Sequence, residues 1–242
     1  MKSRVIWKQS RSVLQQFLDV LFPVHCAGCQ KSGHVLCPSC LAKIQPLPSP
    51  VCQLCGTPLS TYGACKNCQY RPTKLSGQRA VSFYQEPLRG CIHRLKYDGN
   101  TRLAEPFGLL LAQAYRRYSL GADVLIPVPL HRERQQQRGF NHASLLAEVC
   151  SANVGVPMND SILIRHRATV AQVDLHPRER YQNVAGAFAC TSRSASDALY
   201  GRRIAIIDDV STTSATLEAC ATPLFAAGAK EVWGLVLARP MV

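Results

Sequence analysis

Eight cysteines before residue 70 constrain this chain more than anything else in it. They form four CxxC pairs, Cys26/Cys29, Cys37/Cys40, Cys52/Cys55 and Cys65/Cys68. A CxxC turn presents two thiolates to one ion, and two such turns close a tetrahedron around zinc with no open position. Two structural zinc ions are therefore expected, neither of them catalytic. Gly28, Gly33, Gly56 and Gly63 stand where the tight turns need a residue without a side chain. The even spacing disfavours an iron–sulfur cluster. Sequential pairing leaves connecting loops of seven and nine residues. Interleaved pairing uses the same eight ligands, and spacing does not choose between the two. Metal thiolates belong to a reducing compartment. Cys91, Cys150, Cys190 and Cys220 are scattered and read as small hydrophobes.

The charge narrows the partners. Lys and Arg number 28 against 15 Asp and Glu, a formal net charge of +13. Eight thiolates around two zinc ions remove four charges, leaving about +9. Residues 1–72 hold a single acid, Asp19, and from His131 through Arg203 arginine is present without any lysine. The planar fork of arginine fits phosphate and carboxylate, so anionic partners are expected. No run of about 18 apolar residues occurs, so no membrane span is expected. Lys2, Arg4, Lys8 and Arg11 precede Val13, Leu14, Phe17, Leu18, Leu21 and Phe22, which at first looks like a signal peptide. Gln15, Gln16 and Asp19 interrupt that run, and its spacing is that of an amphipathic helix. The expectation is a cytoplasmic protein without a transmembrane segment.

Three units are expected along the chain. Residues 1–24 hold the amphipathic helix, ended by Pro23. Residues 25–72 hold the cysteine module, with Pro46, Pro48 and Pro50 between its halves. Residues 76–242 hold an α/β domain. In the last unit, Arg79–Tyr84, Asp123–Val128, Ser161–Ile164, Arg203–Ile207 and Glu231–Leu237 read as strands. Glu86–Tyr97, Leu103–Tyr118, Phe140–Cys150 and Thr216–Ala227 have helical spacing, with Asn141 as a cap and Gly228 as a stop. Cys190–Gly201 is rich in Ser and Ala and reads as a loop. Strands alternating with helices imply a mostly parallel sheet flanked by helices.

The densest chemistry follows Arg203–Ile207. The strand runs into Asp208 and Asp209, then Val210, Ser211, Thr212, Thr213, Ser214, Ala215 and Thr216, and then a helix. Backbone N–H groups at a helix start, with nearby hydroxyls, cradle a phosphate. The acids lie at the carboxyl end of the strand, where α/β sheets bind ligands. Two adjacent carboxylates suit ribose hydroxyls or a magnesium ion rather than the phosphate itself. A rigid turn at Pro127-Val128-Pro129-Leu130, with Arg132, Arg134 and Arg138 behind it, suits a pyrophosphate, and Lys96 is a further candidate cation.

The segment IIDDVSTTSAT closely resembles the ribose-phosphate signature of type I phosphoribosyltransferases. That resemblance implies that Asp208 and Asp209 hold ribose hydroxyls while Val210–Thr216 holds the 5-phosphate. It also sets Ser214 where that family usually has glycine, which puts catalysis in doubt. The eight-cysteine start, LKYDG at Leu95–Gly99, IPVPLHRERQQQRGFNHASLLA at Ile126–Ala147 and RATVAQVDLHPRERYQNVAGAF at Arg167–Phe188 together resemble the ComF family, phosphoribosyltransferase relatives that are also similar to the GntX type. What this resemblance implies is a role in DNA uptake during natural transformation, beside a helicase-like partner and recombination proteins. It also implies 5-phosphoribosyl-1-pyrophosphate or a related ribose phosphate as the ligand, with magnesium.

Three functions compete. The first is pentosyl transfer, which needs no protein nucleophile and so suits a chain with no Ser-His-Asp or Cys-His arrangement. The second is a non-catalytic module holding single-stranded DNA or a nucleotide, with Tyr62, Tyr70, Tyr84 and Tyr97 as stacking candidates. The third is a partner-docking protein on the same fold.

Overall fold

The computed structural model describes residues 23–71, 73–170, 176–192 and 198–241. The amphipathic helix read over residues 1–22 lies outside them. The strands β1 (Gly77–Phe83), β2 (Val124–Pro127), β5 (Arg203–Val210) and β6 (Glu231–Arg239) form one sheet. Its order is β1-β6-β5-β2 and every pair is parallel. Ile204, Ala205, Ile206 and Ile207 are fully buried, because both faces of a central parallel strand are covered.

Among the described residues, the α-helices of the α/β domain are α3 (Leu88–Tyr97), α4 (Ala104–Arg117), α5 (Arg132–Arg138), α6 (His142–Val154), α7 (Pro177–Val184) and α8 (Ala215–Ala226). Side chains alternate across each strand, so the sheet feeds two cores. Leu125, Ala205, Ile207 and Leu235 meet Phe107 and Leu111 of α4 and Leu146 and Cys150 of α6. Ile126, Ile204, Ile206 and Val232 meet Leu217, Cys220 and Leu224 of α8. Each of the Leu, Ile, Val and Phe side chains contributes about 1.5–3 kcal/mol on burial. The α4–α6 approach depends on Gly108, where an added Cβ would stand 2.4 Å from Val149 Cβ.

The cysteine module has two short helices, α1 (Pro38–Ala42) and α2 (Lys66–Tyr70), one in each half. Each begins directly after a cysteine, Cys37 or Cys65, and contains the next, Cys40 or Cys68. The two halves dock differently. Cys26, Cys37, Cys40 and Ile44 belong to the same core cluster as Cys91, Ile92 and Leu95 of α3. Gly28 permits this approach, since a Cβ there would lie 2.7 Å from Cys40 Sγ and 3.1 Å from Pro87 Cβ. The second half lies along the outer edge of β1, where Gln78 N–H donates to Leu54 C=O at 2.6 Å. Covering an open sheet edge in this way removes a template for aggregation.

Several elements differ from the sequence reading. The strand read at Ser161–Ile164 is β3 (Leu163–Arg165), and it does not join the parallel sheet. It pairs antiparallel with β4 (Phe188–Cys190) in a separate two-stranded flap. A strand of three residues is too short to show a period, and no pattern in the sequence marks β4, whose last residue, Cys190, opens the segment with loop composition. The helices α5 and α7 went unread as well. Among the described residues, no helix is long and apolar enough to cross a membrane.

Candidate functional site

The cysteines fall into two sets in sequential order, Cys26/Cys29/Cys37/Cys40 and Cys52/Cys55/Cys65/Cys68. Within each set the four sulfurs lie within 4.8 Å of one another. Cys29 and Cys37 Sγ are 3.6 Å apart, and Cys55 and Cys65 Sγ are 3.7 Å apart. A zinc–thiolate bond of about 2.3 Å gives a tetrahedron with edges of about 3.8 Å, whereas a disulfide needs about 2.05 Å. Backbone N–H groups already point at sulfur: Cys37 N–H at Cys26 Sγ, 3.2 Å, and Cys65 N–H at Cys52 Sγ, 3.3 Å. The Ser39 hydroxyl, then the Cys40 N–H, draws the Cys37 thiol down to about 6. Burial pushes Cys40 and Cys68 the other way, and a bound dication overrides such a rise by deprotonating the thiol outright. Both sets fit structural zinc, and the interleaved pairing is excluded.

The second site is a cleft of about 360 Å³ at the carboxyl ends of β2 and β5, where parallel sheets place ligands. Asp208 and Asp209 form its floor. Asn141 caps α6 by accepting from Ala143 N–H at 3.0 Å, and its side-chain amide donates to Val128 C=O at 3.1 Å. That pair of bonds ties the start of α6 to the end of β2 and delivers His142 to the acids. His142 Nε2 lies 3.4 Å from Asp209 Oδ1 and 3.8 Å from Asp208 Oδ1. Lys96 of α3 reaches Asp209 Oδ2 at 2.5 Å.

The two acids are therefore in different states. Burial alone would raise Asp209, but Lys96 and then His142 outweigh it and hold the carboxyl well below its usual range. Asp208 is pushed up to about 8 by burial first and by the Asp209 charge second. Burial lowers His142, so its imidazole is neutral at pH 7. Lys96 stays charged, because Asp209 and Asp208 outweigh its own desolvation.

The loop after β5 carries the hydroxyls. Thr212 and Thr216 line the cleft beside the acids. Arg180 of α7 donates to Thr212 Oγ1 at 2.8 Å, and Tyr181 O–H donates to Thr213 C=O. Ser211 and Ser214 turn away from the cleft. Ser214 has φ +63° and ψ 1°, a left-handed conformation that costs a residue with a side chain about 1–2 kcal/mol. It is the residue directly before α8.

The sequence-read residues divide among neighbouring surfaces. Lys96, Leu130, Arg134, Arg138, Val210, Thr212 and Thr216 line the cleft with both acids. Pro129 and Arg132 face an adjoining groove that Leu130 also borders. Arg134 and Arg138 share one face of α5 because they are four residues apart. Thr213 and Ser214 border a cavity on the side of the second cysteine set, and Ala215 is buried in the core. His142 and Arg165 also line the cleft, and sequence reasoning missed them as site residues; Tyr84 and Tyr97, read from the sequence as stacking candidates, line it too. His142 had a local signal, as it directly follows the capping Asn141.

Over 229 residues the chain is 33% identical to Competence protein F of Haemophilus influenzae, covering 90% of this chain and 98% of that protein. The chain belongs to the ComF family. Competence protein ComFC of Bacillus subtilis is 28% identical to this ComF-family chain over 208 residues, 82% of the chain and 81% of the relative. DNA utilization protein YhgH of Escherichia coli K12 is 31% identical over 193 residues, 76% and 83%. The double zinc ribbon domain matches residues 17–69 of this ComF-family chain, which identifies the two cysteine sets as two ribbons. Among solved structures, a glutamine phosphoribosylpyrophosphate amidotransferase from B. subtilis overlays at TM-score 0.38 and 23% identity. The overlay covers 57% of this chain, and the chain spans only 26% of that protein's length. A purine phosphoribosyltransferase from Pyrococcus horikoshii overlays at TM-score 0.33 and 21% identity, covering 55% and 70%.

Proposed function

We propose that this ComF-family chain binds 5-phosphoribosyl-1-pyrophosphate or a related ribose phosphate in the cleft over Asp208 and Asp209, and that it serves DNA uptake or DNA use in a reducing cytoplasm. One observation carries the reading: a pair of buried acids, several cations and the hydroxyls of Thr212 and Thr216 line a single cleft. The acids suit ribose hydroxyls. The N–H groups at the start of α8 suit the 5-phosphate. Arg134 and Arg138 suit the pyrophosphate.

The two acids offer hard oxygen donors of the kind magnesium takes, Asp208 only once it has lost its proton. Lys96 already neutralises one of them, so the ion's place is chiefly on the ligand's own phosphate oxygens, where it would offset the charge of a departing pyrophosphate. The chain's own part in a transfer is positioning and charge. The bond from the ribose anomeric carbon to pyrophosphate breaks, a bond to an acceptor nitrogen forms, and the nitrogen loses a proton. Arg134 and Arg138 hold the leaving pyrophosphate, and no side chain attacks.

A second reading has its own support. Tyr62 and Tyr70 on the second ribbon are 86% and 88% exposed. They stand on a basic segment with Lys66 and Arg71 and no acid. Exposed rings on a cationic surface suit the stacking of single-stranded DNA, and the name of one relative, DNA utilization protein YhgH, points to DNA.

Calorimetric titration of 5-phosphoribosyl-1-pyrophosphate with magnesium into the zinc-loaded protein tests the first reading. Micromolar binding that disappears in Asp208→Asn/Asp209→Asn is the expected result. Absence of binding by folded, zinc-replete protein would leave the DNA reading, whose mark is a steep fall of affinity with salt.

A further inference from the structure

Gln78 is a polar residue only 3% exposed, on a strand of the sheet. Its side-chain oxygen accepts two hydrogen bonds, from Ser211 Oγ at 2.9 Å and from Ser214 Oγ at 2.7 Å. Both ends of the turn after β5 are thus fastened to one atom. The reach is unusual, because Gln78 lies on β1 and β6 runs between β1 and β5. Gly234 makes it possible. It is the register partner of Gln78 on β6, and a Cβ there would lie 3.4 Å from Gln78 Cγ and 2.7 Å from Leu217 Cδ1. The side chain of Gln78 therefore passes over β6 where β6 has none.

The backbone of Gln78 is held from the other side. Its N–H donates to Leu54 C=O at 2.6 Å, and Leu54 lies inside the Cys52–Cys55 turn. The neighbouring carbonyls of that turn are also occupied by the sheet. Arg79 donates to Gln53 C=O at 3.0 Å, and the buried Arg239 donates to Cys55 C=O at 2.7 Å. Gly56 permits the contact, since a Cβ there would stand 2.6 Å from Gln78 C=O.

We infer that Gln78 is a positioning residue that holds the loop 211–216 in its ligand-binding shape, and that the second ribbon, by holding Gln78, makes that shape depend on metal at Cys52, Cys55, Cys65 and Cys68. Ser214 adopts a left-handed conformation that glycine adopts freely, and the bond to Gln78 supplies the restraint that serine needs. The ligand half of this inference rests on the ribose-phosphate reading. The loop half does not.

The experiment measures two quantities on the full zinc-loaded chain: hydrogen exchange across residues 208–218 without ligand, and calorimetric affinity for 5-phosphoribosyl-1-pyrophosphate with magnesium. Gln78→Leu removes both hydrogen bonds, so loop exchange should accelerate and affinity should fall, each about tenfold or more. Gln78→Leu/Ser214→Gly should restore both most of the way, which a general loss of core packing would not do. Gly56→Ala keeps every cysteine but pushes the turn off β1, and it should reproduce the loop signature while exchange in β5 stays as it was. Cys52→Ser/Cys55→Ser, checked for one remaining zinc, should do the same. Loop protection in Gln78→Leu equal to wild type would overturn the inference. So would a loss that Ser214→Gly fails to recover. If the exchange results hold while wild type binds no ribose phosphate, the ligand reading falls and the role of Gln78 stands.

Discussion

Arg138 donates to Nδ1 of His142 at 2.9 Å, and this bond decides what His142 offers Asp209. A guanidinium has no acceptor, so Nδ1 must carry a lone pair and Nε2 the proton. The neutral ring therefore points N–H toward Asp209 Oδ1, 3.4 Å away. Asp209 holds one full cation, Lys96, and one neutral donor. Among the described residues Asp208 has no Lys or Arg ion pair of its own, and with its pKa pushed up to about 8 it stays protonated at neutral pH. Arg138 also lies over the ring of Tyr97, 5.3 Å from its centroid, which fixes the guanidinium from a second side.

Lys96→Met leaves the Asp209 carboxylate buried without its counter-charge. Breaking such a pair costs about 3–5 kcal/mol. Urea unfolding should show that loss, and Lys96→Met/Asp209→Asn should recover much of it. A double variant as unstable as the single one would mean that packing by the lysine stem, not charge, is what matters.

The pH dependence of stability should carry the mark of Asp208. Its pKa is raised in the fold, to about 8, against about 3.9 unfolded. The stabilisation is therefore complete below about pH 4 and is lost as pH rises through about 8. Asp209, held low, behaves oppositely and loses its stabilisation on acidification. Asp208→Asn cannot ionise, so its melting temperature relative to wild type should climb between pH 5 and 9. A constant difference across that range would show that Asp208 is ionised throughout.

The two ribbons should not be equally important to the fold. Cys40 shares a core with α3 and α4, whereas the second ribbon meets the sheet largely through backbone carbonyls. Cys40→Ser should lower the melting temperature more than Cys65→Ser. A gap of about 4–8 °C corresponds to about 2 kcal/mol in a chain of this size. Calorimetry with zinc counted by mass spectrometry checks this, and an equal fall in both would refute the asymmetry.

Gly108→Ala tests the α4–α6 contact. A methyl placed 2.4 Å from Val149 Cβ forces the helices apart and should cost about 1–3 kcal/mol. Val149→Ala in the same chain should return part of the loss in urea unfolding.

What was legible in the sequence had a pattern that physics repeats. The cysteine turns were legible because two thiolates on one turn serve one ion. The strand Arg203–Ile207 was legible because a central parallel strand is apolar on both faces. Asp208 and Asp209 stood out because acids at a strand end, before hydroxyls and a helix, have few other uses. The helix α5 was not legible, because none of its residues is buried and it has no apolar stripe. Of the flap, β3 was legible as a strand, but its antiparallel partner β4 was not, because three residues do not make a period. Gln78 was invisible for a different reason. Its partner Ser211 lies 133 residues away, and a single glutamine in a strand resembles any exposed one until the sheet order is known.

The pairing of β1 with β6 has a consequence for synthesis. The ribbons and β1 leave the ribosome early, but Gly77 meets its register partner Trp233 only when β6 has been made. Until then β1 has no neighbour in the sheet, because β6 lies between it and β5. Zinc loading can thus come before the α/β core closes, with the second ribbon waiting beside an unfinished edge. The loop at 211–216 reaches its final shape only in the last step of assembly, when β6 brings β1 and Gln78 within reach of β5.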